Sequence, residues 1–135
     1  MIWDRAREAG VVKVAKSITE FADAELDVII DYTGFGVTTA DALKTVKSSG
    51  GGRVVQVGMG KRESTIDTYS LILGRKLLHG SMGGSEEDIE ETMRHVASGE
   101  LNPAITEIDF EEIPAVIQRL TDGTAVERLV ARVTD

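Results

Sequence analysis

Short apolar runs alternate with amphipathic stretches along the chain. Three runs rich in β-branched and other apolar side chains occupy residues 26–31, 53–57 and 76–81, and each has a glycine at or soon after its end. Runs of this kind are typical of parallel strands that are covered on both faces. The stretches at residues 37–46 and 68–73 predict helices between them. This succession of strands and helices predicts an α/β fold with a mostly parallel sheet.

The flanking segments predict further elements of the same kind. Residues 3–9 predict the end of a helix that Gly10 closes, and residues 11–14 predict a short strand. Residues 103–110 are expected to be extended. Residues 128–133 alternate polar and apolar positions, as a half-exposed strand does.

Two helices are predicted in the second half of the chain. Ser85 and Asp88 have the spacing of a capping box, and Gly99 marks the end of the helix that this box begins. A second helix carries Pro114 in its first turn and ends at Gly123. Its apolar positions, which we expect to face inward, are Ile113, Val116, Ile117 and Leu120.

The glycines gather at the ends of the predicted strands. The sequence has 14 glycines, and Gly34, Gly58 and Gly80 lie where the three apolar runs end. With right-handed crossovers, these positions fall along one edge of the sheet. Open parallel sheets bind ligands beyond the carboxyl ends of their strands. A glycine at such a turn also fits a purely conformational role, so the pattern leaves both alternatives open.

The charge balance excludes one class of partner. The chain has 135 residues, with 15 basic and 23 acidic side chains and a formal net charge of −8. Its hydrophobic fraction of 41% and charged fraction of 28% are those of a globular domain rather than a disordered chain. An acidic chain without a basic stripe repels phosphate backbones. We therefore expect no nucleic-acid partner.

The lack of cysteine and of long apolar runs excludes several kinds of site and a membrane-spanning helix. Without cysteine the chain has no disulfide, no thiolate nucleophile, no cysteine-type zinc site and no iron–sulfur cluster. No apolar run approaches the roughly 18 residues that span a bilayer, and the first five residues do not resemble a signal peptide. We expect a cytoplasmic protein without a membrane partner.

No complete catalytic or metal-binding motif is present in the sequence. His79 and His95 lack the H-E-x-x-H spacing, and no serine has a G-x-S-x-G context. A P-loop and a complete G-x-G-x-x-G turn after a strand are also absent, which leaves two isolated G-x-G pairs that start at Gly34 and Gly58. We expect no catalytic residue and no metal site among these residues.

Four stretches carry a resemblance to a known family. They are residues 26–34 (LDVIIDYTG), 51–58 (GGRVVQVG), 78–84 (LHGSMGG) and 125–130 (AVERLV). In order and separation they resemble the C-terminal part of the zinc-type, medium-chain alcohol dehydrogenases over nearly the whole chain. The resemblance implies a partial Rossmann fold, which is a doubly wound, mostly parallel sheet with flanking helices. The first two strands of the family's cofactor domain are missing from it.

The resemblance also implies a division of the chain and a parent reaction. Residues 1–84 would form a partial NAD(P)-binding Rossmann domain, and residues 85–135 would be helices and strands that return to the catalytic domain. The parent enzymes transfer hydride between an alcohol and NAD or NADP at a zinc centre. Neither their zinc ligands nor their glycine-rich diphosphate turn has a counterpart here.

We therefore expect a C-terminal part of such an oxidoreductase that is inactive alone and binds the cofactor weakly or not at all. Whether the chain is itself an enzyme stays open at this point. Two alternatives are a non-catalytic nucleotide-binding or interaction module, and one half of a split dehydrogenase.

By position, the resemblance implies a cofactor site at the ends of two strands. Gly34 and Phe35 would flank the adenosine ribose or the diphosphate. Val57, Gly58 and Met59 would line the nicotinamide through their backbone groups.

Two more residues of the implied cofactor site come from later in the chain. Met82 lies where the family has a residue beside the cofactor, and Arg128 lies where it has an arginine that binds the diphosphate. The family has glycine just before that arginine, whereas this sequence has Glu127. An acidic side chain beside a diphosphate weakens the assignment of Arg128, for which a surface strand position is the alternative.

The family's strand order also predicts a partner surface. In that order the two missing strands lie between residues 11–14 and residues 26–31, so one edge of the latter strand is expected to be unpaired. An unpaired edge invites another strand. We expect either that residues 11–14 pair with it, or that chains associate as homo-oligomers or exchange elements. A separate N-terminal catalytic half is a further candidate partner.

Overall fold

The computed structural model describes residues 2–125 and 128–133. Within these residues the helices are α1 (Ile2–Glu8), α2 (Val37–Thr45), α3 (Thr68–Leu73), α4 (Glu86–Ser98) and α5 (Ile113–Thr121), with 3-10 helices at Ile18–Ala24 and Phe110–Glu112. The strands are β1 (Val28–Asp31), β2 (Arg53–Gln56), β3 (Leu77–Gly80), β4 (Ile105–Ile108) and β5 (Arg128–Ala131). The chain divides into two compact units, one up to Gly83 and one from Gly84 onward.

The first unit is built on a parallel sheet of three strands in the order β1-β2-β3. Val28 lies beside Arg53, which lies beside Leu77, and this register runs to the ends of the three strands. The carboxyl ends of the strands therefore meet at one edge. The predicted α/β class with a parallel sheet is confirmed.

Helix α2 covers one face of this sheet. The core residues of the unit come from α2, its C-terminal end and the two strands beneath it, and they are Ile29, Ala42, Leu43, Val46 and Val54. Burying side chains of this size stabilises the fold by about 1.5–3 kcal/mol each. Val28 and Ile30 point to the opposite face, because neighbouring residues of a strand alternate, and both are about half exposed.

The outer edge of β1 pairs with no other strand among the described residues. The prediction that residues 11–14 form a strand and pair with this edge is wrong. The amide of Val11 donates to the carbonyl of Ala6 at the end of α1, and the chain soon enters the 3-10 helix Ile18–Ala24, which packs against α2. The described residues between α1 and this 3-10 helix therefore include no strand that pairs with β1. Association of chains through this edge stays a prediction.

The second unit combines a parallel pair, β4 and β5, with α4 and α5. The predicted capping box of α4 is confirmed, since the Ser85 side chain accepts from the amide of Asp88 and the Asp88 side chain accepts from that of Ser85. Gly99 ends α4 in the left-handed conformation with a φ of 78°, as predicted.

One prediction for α5 is wrong. Val116 is buried and Ile113 is partly buried, but Ile117 and Leu120 are 57% and 59% exposed. Among the described residues, α5 packs mainly against the 3-10 helix Phe110–Glu112 just before it. One turn of helix does not cover the whole apolar face of a nine-residue helix.

A buried lysine joins α2 to the loop before β3. Lys76 is only 5% exposed, and its Nζ donates to the carbonyl of Leu43 at 2.7 Å and less closely to the carbonyl of Lys44 and the hydroxyl of Ser70. The two carbonyls belong to the last turn of α2, where carbonyls lack intrahelical partners and a positive charge is favourable. Lys76 therefore caps α2 from outside the helix.

We expect Lys76→Met to lower the free energy of unfolding by about 1–3 kcal/mol, because the buried carbonyls of α2 lose their donor. The same change at Lys44, whose ammonium is exposed and pairs with Asp41, should cost less than about 1 kcal/mol. Urea denaturation of both variants measures the difference. Equal losses would contradict the capping role of Lys76.

Candidate functional site

Two turns meet where β1 and β2 end. We call residues 32–36 the β1 turn and residues 57–61 the β2 turn. The β1 turn contains Gly34 and Phe35, and the β2 turn contains Val57, Gly58 and Met59. The structure thus brings five of the residues predicted for the cofactor site to one place.

The two turns are in direct backbone contact. A Cβ atom on Gly34 would lie 1.9 Å from the carbonyl oxygen of Gly58, and Gly34 has a φ of 60°. A Cβ atom on Gly58 would in turn lie 2.4 Å from the carbonyl carbon of Thr33. Both glycines are therefore required by the packing of one turn on the other. The conformational alternative accounts for these two glycines without a ligand.

Hydrogen bonds fix the turns in this arrangement. The amide of Gly60 donates to the carbonyl of Thr33 at 3.1 Å, and the amide of Lys61 donates to the carbonyl of Gly34 at 2.9 Å. Just beyond the β2 turn, the hydroxyl of Ser64 donates to the carbonyl of Gly36 at 2.7 Å. The β2 turn and the residues after it are thus fixed to the β1 turn at three points.

The carboxylate of Asp31, the last residue of β1, organises the β1 turn. It is 6% exposed and accepts five hydrogen bonds. Oδ1 accepts from the amide and hydroxyl of Thr33 and from the amide of Gly34, at 2.9–3.0 Å. Oδ2 accepts from the hydroxyls of Thr38 and Thr39, at 2.9 and 2.8 Å, in the first turn of α2.

This environment stabilises the ionised form of Asp31. Burial by itself raises the pKa of a carboxyl group, but the hydrogen bonds from Gly34, Thr39, Thr33 and Thr38 outweigh burial and lower the pKa of Asp31 from 3.8 to about 2. The negative charge also lies at the N-terminal end of α2, where the helix dipole favours it.

The backbone carbonyl of Asp31 holds the second turn. It accepts from the amides of Val57 and Gly58 at 2.9 and 3.0 Å. One residue therefore positions both turns, the first through its side chain and the second through its main chain.

Several backbone amides of the two turns are already used within the protein. The amides of Gly34, Val57 and Gly58 donate to Asp31, and the amide of Phe35 donates to the hydroxyl of Thr38. Among the described residues, none makes a hydrogen bond with the carbonyl of Val57 or the amide of Met59. The Phe35 and Met59 side chains are 53% and 90% exposed.

The other two predicted residues lie elsewhere along the chain. Met82 follows the end of β3, where the amide of Ser81 donates to the carbonyl of Gln56, and its side chain is 95% exposed. Arg128 is the first residue of β5 in the second unit, and its amide donates to the carbonyl of Ala104. Glu127 lies outside the described residues. Roles for Met82 and Arg128 in cofactor binding stay predictions.

Sequence reasoning missed the residues that build this site. Asp31 appeared only as the end of an apolar run, and Thr38 and Thr39 only as part of a helix. The signal was present, because an aspartate at a strand end followed by threonines at the start of the next helix is a pattern of local side-chain capping. Sequence reasoning also predicted no role for Lys61 and Arg62, which follow Gly60.

Comparison with known proteins identifies the family. A family model described as zinc-binding dehydrogenase matches residues 4–98. The chain belongs to the zinc-binding dehydrogenase family. It is 29% identical over 118 residues to alcohol dehydrogenase 1 of Caenorhabditis elegans, an alignment that covers 87% of this chain and 33% of that protein. Over 81 residues it is 37% identical to alcohol dehydrogenase 2 of the same organism, covering 58% of this chain and 23% of that one.

Solved structures agree with this membership. The chain matches the acetophenone reductase of Geotrichum candidum, solved in complex with NAD, with a TM-score of 0.83 and 31% identity over 93% of this chain and 37% of that chain. It shares the fold of the Aeropyrum pernix alcohol dehydrogenase, with a TM-score of 0.72 and 22% identity over 86% and 33% of the two chains. The aligned regions thus cover between 23% and 37% of the length of these four proteins.

The residues present do not fit the metal of the family's name. The sequence contains no cysteine, and the described residues contain no group of three or more histidine, aspartate or glutamate side chains that could hold a metal ion. The buried carboxylate of Asp31, just before the β1 turn, already accepts five hydrogen bonds.

In the described part of this zinc-binding dehydrogenase chain, no helix is long and apolar enough to cross a membrane.

We expect Gly58→Ala to lower the free energy of unfolding by about 1–3 kcal/mol or more, because its methyl group would overlap the backbone of the β1 turn. Gly80→Ala is the matched control, since a Cβ atom there meets nothing within 4 Å. The control should stay within about 0.5 kcal/mol of the parent chain. Urea denaturation compares the two, and a harmless Gly58→Ala would show that the turns do not pack as described.

We expect Asp31 to make the stability of the fold sensitive to acid. Its pKa is lower in the folded than in the unfolded chain, so its contribution is complete above the unfolded value of 3.8 and is lost as the pH falls through about 2. The difference corresponds to about 2 kcal/mol. Between about pH 5 and pH 2, the free energy of unfolding should therefore fall by about that much more in the parent chain than in Asp31→Asn.

The exposed Asp23 provides the control for this measurement. Asp23→Asn removes the same charge from the 3-10 helix Ile18–Ala24 and should keep the acid dependence of the parent chain. If Asp31→Asn and Asp23→Asn show the same dependence, the carboxylate of Asp31 does not stabilise the turn.

Proposed function

We propose that these 135 residues form part of the cofactor-binding wall of an NAD(P)-dependent, alcohol dehydrogenase-like oxidoreductase, and that by themselves they do not transfer hydride. The observation that carries the proposal is the pair of interlocked turns at the carboxyl ends of β1 and β2. In an open parallel sheet this edge is where a ligand binds. The relatives named alcohol dehydrogenase and the neighbour solved with NAD support the choice of ligand.

The β2 turn suits the nicotinamide. A carboxamide presents N–H donors and one carbonyl acceptor, and the turn offers the carbonyl of Val57 and the amide of Met59, which none of the described residues uses. Gly58 between them has no side chain, so a ring can approach the backbone closely. These backbone groups would orient the ring, and the bound cofactor would supply the hydride chemistry.

The β1 turn suits the adenosine half through apolar contact rather than through donors. The amides of Gly34 and Phe35 are already used inside the protein. What the turn presents outward is the Phe35 ring, which lies next to Gly60, where a Cβ atom would come within 2.7 Å of it. An exposed aromatic ring held in place from behind is a surface for a ribose or a base.

Two observations support weak cofactor binding by this chain. The sequence lacks the complete G-x-G-x-x-G turn whose amides and following helix bind a diphosphate. At the N-terminus of α2, the hydroxyls of Thr38 and Thr39 donate to the carboxylate of Asp31, whose negative charge repels a second anion there. Without the glycine-rich turn, and with this charge at the start of the helix, most of the attraction for the diphosphate is missing.

Absence of the metal ligands supports inactivity of these residues alone. The described residues hold no metal-ligand group, and Asp31 is saturated with hydrogen bonds. Hydride transfer would need groups contributed by other polypeptide.

One half of a split dehydrogenase is the second candidate function, and the edge of β1 favours it. Val28 and Ile30 have backbone groups that point away from β2, since the carbonyls of Asp27 and Asp31 are the ones that accept from the β2 side. An edge of this kind accepts a strand from another segment. The split enzyme would place its first strands there and add the diphosphate turn and the metal ligands.

We expect NADH and NADPH to bind this chain no more tightly than about millimolar, because the diphosphate donors are missing. We also expect no alcohol-dependent reduction of NAD+ or NADP+. Amide shifts on titration with NADH should concentrate at Met59, Val57 and Phe35. Phe35→Ala should weaken them, whereas Tyr69→Ala, which removes a still more exposed ring from α3, should not.

A dissociation constant in the micromolar range by calorimetry would contradict the weak binding. Unaided oxidation of an alcohol would contradict the inactivity. Shifts that avoid both turns would contradict the assignment of the site.

A further inference from the structure

Two neighbouring basic residues at the ligand edge have no assigned role. Basic residues are adjacent in this sequence at Lys61 and Arg62 and again at Arg75 and Lys76, but Lys76 is buried under α2. Lys61 and Arg62 are both exposed, and neither forms an ion pair with a carboxylate among the described residues. They form a local positive charge in a chain whose formal net charge is −8.

The pair has a fixed position. The amide of Lys61 donates to the carbonyl of Gly34, and two residues after Arg62 the hydroxyl of Ser64 donates to the carbonyl of Gly36. Glu63, which lies between Arg62 and Ser64, is packed against the β1 turn, since a Cβ atom on Gly36 would lie 2.7 Å from the carbonyl oxygen of Glu63. The backbone on both sides of Arg62 is therefore held, which limits the entropy lost when the two side chains bind.

Some donors at this edge are already used within the protein. The amides of Gly34 and Phe35 donate to Asp31 and Thr38, and the hydroxyls of Thr38 and Thr39 at the start of α2 donate to the carboxylate of Asp31. The negative charge of Asp31 opposes a second anion at this place. Lys61 and Arg62, which follow Met59 by two and three residues, carry full positive charges next to the β2 turn.

We propose that Lys61 and Arg62 form a recognition site for an oxyanion, phosphate or carboxylate, carried by the ligand that occupies the carboxyl edge of the sheet. A guanidinium presents a fork of donors that matches two oxygens of such a group, and an ammonium adds a mobile point charge. The neighbouring carboxylate of Glu63 lowers the local potential, so binding is weak and depends on salt.

The identity of that ligand rests on the proposed function, whereas the anion site does not. The oxyanion has two sources at this edge. It is a phosphate of the dinucleotide, or it is a carboxylate or phosphate on the alcohol or carbonyl substrate beside the nicotinamide. The second source defines a substrate class of anionic alcohols and aldehydes.

The test is an amide-shift titration of the whole chain with sodium pyrophosphate, against sodium chloride at equal ionic strength. We expect saturable shifts at Lys61, Arg62 and Ser64 with pyrophosphate and none with chloride. The double variant Lys61→Gln/Arg62→Gln should weaken this binding about five- to tenfold, because two charge-assisted contacts are lost.

A matched control keeps the net charge equal. Lys13→Gln/Arg94→Gln also removes two exposed basic residues, neither of which belongs to either turn, and should bind pyrophosphate within about twofold of the parent chain. Equal weakening by both double variants, or unsaturable shifts spread over all basic residues, would overturn the proposal, since either result means general screening.

Two further titrations separate the sources. If NADH shifts Lys61 and Arg62 and Lys61→Gln/Arg62→Gln weakens NADH binding, the anion is a cofactor phosphate. If NADH shifts only Met59 and Val57 while succinate binds at Lys61 and Arg62, the anion belongs to the substrate. Either result supports the site. Pyrophosphate binding at Lys61 and Arg62 without any NADH shift at Met59 would overturn the proposed function and leave this site standing.

Discussion

The buried carboxylate of Asp31 is the interaction on which the functional edge depends. A carboxylate with almost no access to water is costly unless each oxygen is satisfied. Here five donors from the β1 turn and from α2 converge on it, and its own carbonyl receives two amides of the β2 turn. The position of α2, the approach of Gly34 to Gly58 and the direction of both turns therefore follow from one residue at the end of one strand.

This arrangement uses donors that a phosphate would otherwise find. In many nucleotide-binding folds the N-terminus of a helix after a strand is free to receive an anion. Here the start of α2 faces an anion that is part of the chain, because the hydroxyls of Thr38 and Thr39 donate to Asp31. The edge gains rigidity and loses attraction for a diphosphate. The groups that remain available to a ligand include the Phe35 ring, the carbonyl of Val57, the amide of Met59 and the basic pair Lys61 and Arg62.

The sequence predicted the elements whose physical signal is local. Strands β1 to β3 were predicted correctly because uninterrupted apolar runs bounded by glycines are typical of buried parallel strands. Helix α4 was predicted correctly because Ser85 and Asp88 define its first turn. The 3-10 helix Ile18–Ala24 was missed although Ser17 and Glu20 have the same spacing and form a capping box. Residues 11–14 were mistaken for a strand because an apolar run of four does not reveal whether a partner strand is within reach.

The sequence predicted the position of the candidate site but not the interactions that form it. The sequence predicted that Gly34 and Gly58 contact a ligand. In the structure, the close backbone contact that leaves no room for a side chain at either glycine is with the other turn. Their presence therefore does not by itself argue for a cofactor. The stronger argument comes from backbone groups that the interlocked turns leave unpaired, among them the carbonyl of Val57 and the amide of Met59, because such groups at a rigid edge are available to a ligand. That information depends on hydrogen bonds between segments far apart in sequence, which no local pattern contains.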